Sequence, residues 1–289
     1  MRALTSIEAD VALVPDAVGT TARTERGTRG RRQHPLTQVR GQLSIEWRAA
    51  LGVAGVVSLF VIWLVAAGST NLVPSPTETW DAFLRLWRDG VFVNDLRASS
   101  QRIAIGYGIS VVLGVFFGIA MGTFASAEAF FEPQFGFLRY IPASALIPVM
   151  LLWLGIGESP KITMIVIGTV FFNILMVADV ARLVPRELLN ASYTLGASRT
   201  TVLRRVVFRH SLPGIVDVAR VNLAAAWLML VVSEVLAANE GLAYRIVRAQ
   251  RSRAFDTIFA LLIVFGIIGL VSDLFLRWLR NAIAPWAKP

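Results

Sequence analysis

Three ionisable residues sit inside one apolar stretch of this chain: Asp217, Arg220 and Glu234, all within 215–238. Asp217 and Arg220, at i and i+3, share a helical face and can pair. Either charge left alone inside a bilayer would cost roughly 2.5–3.5 kcal/mol on insertion scales. Glu234 lies about 21 Å beyond Arg220 along a helix rising 1.5 Å per residue, too far to join them. It is an acid that must face water, a partner helix or a solute path, and a proton or ion relay would begin there. Other chemistry finds no residues. His34 and His210 are the only histidines and cysteine is absent, so no zinc cluster of ordinary spacing and no thiol chemistry is expected. No Gly-x-x-x-x-Gly-Lys-Ser/Thr phosphate loop occurs. The chain is expected to have no catalytic residues and no cofactor.

Composition accounts for buried charges being so few. The 289 residues are 55% hydrophobic and 16% charged, with mean hydropathy +0.63, whereas soluble domains carry roughly 25% charged residues. A polytopic, all-α membrane protein is expected. Its net charge of +9 would suggest nucleic acid in a soluble protein. Here the arginines sit at the ends of apolar runs, so no nucleic-acid partner is expected. Six stretches approach the ~20 residues needed to span hydrocarbon: 49–68, 103–124, 135–157, 162–178, 215–238 and 257–276. The third is interrupted by Arg139, Pro142 and Pro148, and Asn173 and Trp227 are polar or aromatic groups in otherwise apolar spans. With both termini in the cytosol, cytosolic segments hold about twice as many Lys and Arg as external ones, the bias that sets orientation. Two segments dissent: 125–134, read as an acidic loop, and the arginine-rich 239–257. Residues 1–48 lack apolar periodicity and read as a disordered basic cytosolic tail, with contact to anionic lipid as the other reading.

Two further patterns concern packing. Val73 to Pro76 reads as an extended turn with Thr77 capping a helix. Trp80, Phe83, Leu84 and Trp87 would lie on one face of that helix, in the membrane interface. Gly106, Ser110, Gly114, Gly118 and Gly122 place small residues at every fourth position, which lets a neighbouring helix approach closely. Such a row drifts about 40° per step, so it is expected to spiral and can serve more than one neighbour.

The segment 182–213 is the long connection. At about thirty residues with its own helical pattern, it is expected to carry function. Pro185 suits a first helical turn, and Leu188, Leu189, Ser192 and Leu195 follow on one face. Gly196 breaks that helix. A second runs from Thr200 to Phe208, with Val202, Val206 and Val207 inward and Arg204, Arg205 and Arg209 outward. Two short helices about a glycine turn make a knob that can dock into a partner.

In detail this segment reads Asn190-Ala191-Ser192, then Gly196-Ala197-Ser198-Arg199, then Leu212-Pro213. It resembles the cytoplasmic coupling motif of permeases from binding-protein-dependent ABC importers: Glu-Ala-Ala, three residues, Gly, then a helix ending in Leu-Pro. The resemblance covers about 50–285 and is nearest to permeases for nitrate, sulfonate and taurine. Supporting segments are Leu72 to Pro76, Ser99 to Tyr107, Ile141 to Pro148, Leu152 to Glu158, Ala226-Trp227 with Glu234, and Glu240 to Tyr244. Asn190 stands where glutamate is usual, Arg209 where a first proline is frequent, and Ala243 where a second glycine is usual.

The resemblance implies a six-helix type I ABC importer permease, residues 49–289 forming the membrane domain, in the bacterial cytoplasmic membrane. It implies a permease homodimer, two copies of a separate ATPase subunit and an extracytoplasmic substrate-binding protein. The cargo would be a small solute such as a sulfonate, taurine, nitrate or bicarbonate. ATPase coupling would fall to Asn190, Ala191, Leu195, Gly196, Ala197, Ser198, Arg199, Leu203 and Pro213. The pathway would draw on Arg139, Ser144, Asn173, Trp227 and Glu234. Glu234→Gln would then reduce uptake only modestly. An ion-coupled secondary carrier is the alternative, using Asp217, Arg220 and Glu234; it predicts a repeat of three spans, which the sequence lacks. A membrane anchor for a cytosolic enzyme would explain the knob but not the interrupted third span.

Overall fold

A computed structural model describes residues 44–287, apart from 71 and 238; the basic tail up to residue 43 lies outside the described residues. The helices are α1 (Ile45–Ser69), α2 (Pro76–Arg88), α3 (Val91–Thr123) and α4 (Ala125–Leu138). A 3₁₀ turn (Ala143–Leu146) leads into α5 (Ile147–Leu154), followed by α6 (Glu158–Arg182) and α7 (Arg186–Thr194). Then α8 (Arg199–Thr201), a π turn (Val202–Val207) and α9 (Phe208–Ala237) run on without a gap, and α10 (Leu242–Arg251) and α11 (Phe255–Ile283) close the chain. Among the described residues five helices are long and apolar enough to cross a membrane, and the pair Ala125–Leu138 with Ala143–Leu154, bent by 79°, is apolar enough for a sixth if counted as one broken span.

That bent pair corrects the third span. It starts at Ala125 rather than 135, so 125–134 is helix and not a loop. Aromatic packing supplies the reason. Phe131 stacks on Phe135 at 5.3 Å, and both meet Phe117 of α3 edge-on at 5.3 and 5.6 Å. The acids that made the segment look like a loop, Glu128 and Glu132, lie 2.8 and 3.3 Å from Arg182 of α6. Arg182, shared also with Asp179, thus gives both acids a cationic partner within the helical packing. The break follows at 139–142, where Pro142 disfavours a helical Ile141 and supplies no N–H.

The small-residue row of α3 meets a single neighbour. A Cβ at Gly106, Gly114, Gly118 or Gly122 would come within 2.9 Å of α6, against Ile165, Asn173, Ile174 or Ala181 in turn. Both rows advance by about four residues, so the two drifts compensate when the helices cross at an angle, as in small-xxx-small pairs. The expectation of several neighbours is therefore corrected. Both rows also ascend together, so α3 and α6 run parallel. That requires one crossing between them, which the bent pair provides. We expect Gly118→Leu, whose side chain would meet Val177 and the Ile174 carbonyl, to abolish monodisperse elution on size exclusion. Gly108→Leu, at a position with nothing within 4 Å of a Cβ, should elute as wild type; equal behaviour of the two would remove the seam from the fold's determinants.

At the start of α2 the cap is Ser75, not Thr77. The Ser75 side chain accepts from the Glu78 N–H, and the Glu78 carboxylate accepts from the Ser75 N–H at 2.8 Å, a capping box with Pro76 in the first turn. The helix buries Thr79 and Ala82 and packs Phe83 against Phe92, leaving Trp80 and Trp87 exposed.

Candidate functional site

The knob is built by two capping devices placed end to end. At the end of α7, the Gly196 N–H donates to the Tyr193 carbonyl at 2.9 Å and the Ala197 N–H to the Ser192 carbonyl at 3.0 Å. This is a Schellman motif, which requires a left-handed residue at Gly196, and its φ is +79°. Ser198 then caps the next helix, its Oγ accepting from the Thr201 N–H. The turn lifts Leu195 into the open at 87% exposure, with Asn190, Ala191, Tyr193 and Arg199 exposed around it.

The knob stands on a buried mount. Val207 is buried with Val177, Ala181, Val184 and Ile215, and Leu189, Leu203 and Val206 pack against that cluster; Val202 is buried as well. Leu203, one of the expected coupling residues, thus supports the knob from beneath. The second helix does not end at Leu212-Pro213. The chain stays helical from Arg199 through the π turn and past Pro213 into α9, so unbroken helix joins the knob to a span. π turns inside helices recur at functional positions.

The opposite end of the bundle holds a buried network of charge that the sequence did not announce. Arg102 of α3 is 1% exposed and Glu234 of α9 is 0% exposed. Arg102 Nη1 donates to Glu234 Oε1 at 2.8 Å and to the Glu240 carbonyl at 2.8 Å. Its Nε and Nη2 grip both oxygens of Glu158, at 2.6 and 2.8 Å. Lys161 Nζ reaches Glu158 at 2.7 Å. Such bidentate, charge-assisted bonds are what make a buried pair tenable.

The network also holds the start of α10. The Gly241, Leu242 and Ala243 N–H groups donate to Asp95 Oδ1, Ser99 Oγ and Glu234 Oε2, each at 2.9 Å. These are the unsatisfied donors of a helix N-terminus, paired with side chains of α3 and α9, and two of the acceptors are carboxylates favoured there. Asp95 further accepts from Arg245 at 2.7 Å. Gly241 is obligatory: at φ +126° an added Cβ would lie 2.5 Å from the Glu234 carboxyl group. Four helices are thereby tied together at one point.

Asp217 and Arg220 find better partners than each other. They lie 3.6 Å apart, whereas Arg220 Nε reaches Asp273 at 2.6 Å and Arg280 Nε reaches Asp217 at 2.8 Å. The expected intrahelical pair is thus present as the longest contact of an interhelical ladder between α9 and α11, with no link to Glu234.

The five residues expected to line a pathway fall in four places. Arg139 and Ser144 are exposed at the break of the bent crossing, and Arg139 lies over the Tyr140 ring at 4.8 Å. Asn173, 1% exposed, is the centre of a polar seam: it donates to Ser110 Oγ and accepts from Asn222, both at 2.8 Å. Trp227 packs edge-on against Phe265, and its Nε1 is buried without a partner among the described residues. Glu234 lies in the charge network. Within one chain the five share no surface. Arg102 was missed because the second span was read to start after it, whereas α3 begins at Val91. The one signal was its place in Ser99 to Tyr107, beside the segment containing Glu158.

The family model of the binding-protein-dependent transport system inner membrane component matches residues 110–288. A probable ABC transporter permease protein of Brucella abortus is 34% identical over 226 residues, covering 78% of this chain and 90% of the relative. The taurine transport system permease of Escherichia coli is 30% identical, covering 84% and 94%. Among solved structures, a chain of the MetNI methionine ABC transporter, in an inward-facing conformation, has a TM-score of 0.60 at 19% identity, with 67% of this chain and 96% of that chain covered; this likeness bears on the fold alone. A polytopic helical bundle with an exposed, helix-mounted knob, matched across most of its length by ABC permeases, is accounted for by one family: the chain belongs to the inner-membrane components of binding-protein-dependent transport systems and is a permease subunit of an ABC importer.

Proposed function

We propose that this permease works as a homodimer whose two knobs each seat in one copy of a separate ATPase subunit, while a substrate-binding protein delivers solute at the Glu234 end. The observation that carries this reading is Leu195, 87% exposed on a turn whose mount is buried and continuous with a span. An apolar side chain held at the tip of a capped turn, above a buried mount, suits an anchor pocket on a partner. Asn190, Ala191, Gly196, Ala197, Ser198 and Arg199 border the contact, Leu203 supports it, and Pro213 lies within the helix that transmits it. ATP-driven approach of the two ATPases would draw the knobs together and bias the bundle between two states. The bent crossing, with Arg139 and Ser144 exposed at its break, is the segment best suited to face the second copy and the solute.

The Gly196 end is proposed to be cytosolic, with both termini on that side and residues 1–48 acting as a basic cytosolic extension. The solute is proposed to be a small oxyanion of the sulfonate class, taurine being the cargo in the name of one relative. Asn173, Trp227 and Glu234 would shape the pathway from within the bundle rather than contact solute in this state. The test has two arms. Because cysteine is absent, Arg248→Cys should react with an impermeant maleimide in intact cells and Arg199→Cys only after permeabilisation; the reverse would invert the orientation. In vesicles containing all three components, taurine uptake should require ATP and ignore the proton gradient. Uptake driven by the gradient alone would overturn the proposed division of labour.

A further inference from the structure

Of the acids around the Gly196 end, Glu128, Glu132 and Asp179 pair with Arg182, Asp217 with Arg280, and Asp273 with Arg220 and Arg277; Glu187, exposed on α7, forms no ion pair among the described residues. Arg205 and Arg209 form no ion pair among the described residues. They line a groove of about 440 Å³ together with Leu188, Val206, His210 and Trp286. Arg209 lies over the Trp286 ring, 5.4 Å from its centroid. A cation–π contact at this range leaves the guanidinium N–H donors available, and neither arginine's side chain forms a hydrogen bond among the described residues. The groove therefore presents two permanent cations and an imidazole above an apolar floor of Leu188 and Val206. It also lies where α9 enters its apolar stretch and just past the end of α11 at Ile283, the level of the membrane–water boundary that tryptophan favours.

We propose that this groove binds the headgroup of an anionic phospholipid, its phosphodiester held by Arg205 and Arg209 with His210 as a further donor. The glycerol and upper acyl carbons would lie along Trp286, Leu188 and Val206. Basic pockets beside spans suit such headgroups. Free phosphate shares the charge but has nothing to place on the apolar floor. Arg205 belongs to the π turn beneath the knob, so an occupied groove would fix the knob's height relative to the bilayer. The inference rests on the membrane reading and is independent of whether Leu195 contacts an ATPase.

Native mass spectrometry of the full-length permease tests it, with dioleoyl phosphatidylglycerol, dioleoyl phosphatidylcholine and inorganic phosphate as probes. Both lipids carry the phosphodiester, but the choline ammonium of phosphatidylcholine cancels its charge; at about 1 kcal/mol for each of the two arginines, phosphatidylglycerol should bind roughly 30-fold tighter. The Arg205→Gln/Arg209→Gln variant should lose that preference, and Arg204→Gln, outside the groove, should keep it. Millimolar inorganic phosphate should leave the phosphatidylglycerol adduct in place. Three results would overturn the proposal: equal binding of the two lipids, a preference that survives in the double variant, or displacement by inorganic phosphate, which would make the groove a site for free phosphate. Unchanged lipid binding in the double variant with loss of ATPase co-purification would assign the arginines to a protein partner instead.

Discussion

Arg102→Met should destabilise the permease by about 3–5 kcal/mol, the usual cost of leaving one partner of a buried ion pair alone. The substitution strands the Glu234 carboxylate at 0% exposure and releases Glu158, which is half exposed and can turn to water. Glu234→Gln should also be severe, contrary to the modest effect expected from shape alone. All the neighbours of Glu234 donate to it: Ser99 Oγ at 2.7 Å, Arg102 at 2.8 Å and the Ala243 N–H at 2.9 Å. A glutamine must point its amide at one of these donors, and a buried unsatisfied donor costs about 1–3 kcal/mol. The double variant Arg102→Met/Glu234→Met removes both charges and should cost less than the sum of its parts. Thermal unfolding of the purified permease, followed by light scattering or tryptophan fluorescence, gives the comparison. A wild-type transition in Arg102→Met would mean that the network does not hold α3, α6, α9 and α10 together.

The bundle was largely legible because its signals are local. Five of six crossings follow from hydropathy, and the α3 row of Gly106 to Gly122 is visible as a spacing. Its single partner was not, because the complementary row on α6 contains Ile165, Asn173 and Val177, which look like ordinary span residues until the helices are set side by side. The third crossing misled because Glu128 and Glu132 imitate a loop when their partner, Arg182, is 50 residues from Glu132. The knob was legible for the same local reason: Pro185, Gly196 and Ser198 are capping residues whose geometry is set within a few positions.

The charge network was not legible, and the cause is sequence distance. Arg102 and Glu234 lie 132 positions apart, and Asp95 and Arg245 lie 150 apart. No periodicity or cap connects them. Asp217 and Arg220 show the converse case: the local pair is present at 3.6 Å, but its shorter partners, Asp273 and Arg280, are on α11 and were not legible. Charges in spans announce that partners exist. Only the packing of the helices decides which.

Gly196→Val should leave the six crossings inserted and reduce recovery of the ATPase subunit about 10-fold or more, since holding a β-branched residue at φ +79° costs of order 1–3 kcal/mol and each 1.4 kcal/mol is a factor of ten. The mechanism is conformational. An added Cβ at Gly196 meets nothing within 4 Å in this chain, so the penalty comes from φ, and the turn relaxes by abandoning the Schellman bonds from Gly196 to Tyr193 and from Ala197 to Ser192. Leu195 would then leave its presented position. The series should be graded by tolerance of the left-handed region: Gly196→Asn close to wild type, Gly196→Ala intermediate, Gly196→Val lowest. The measurement is co-purification of the ATPase subunit with tagged permease, alongside ATP-driven uptake in vesicles. Equal losses for asparagine and valine would point to contact at the glycine itself rather than to the turn. Full recovery and uptake with valine would remove the Gly196 turn from coupling altogether.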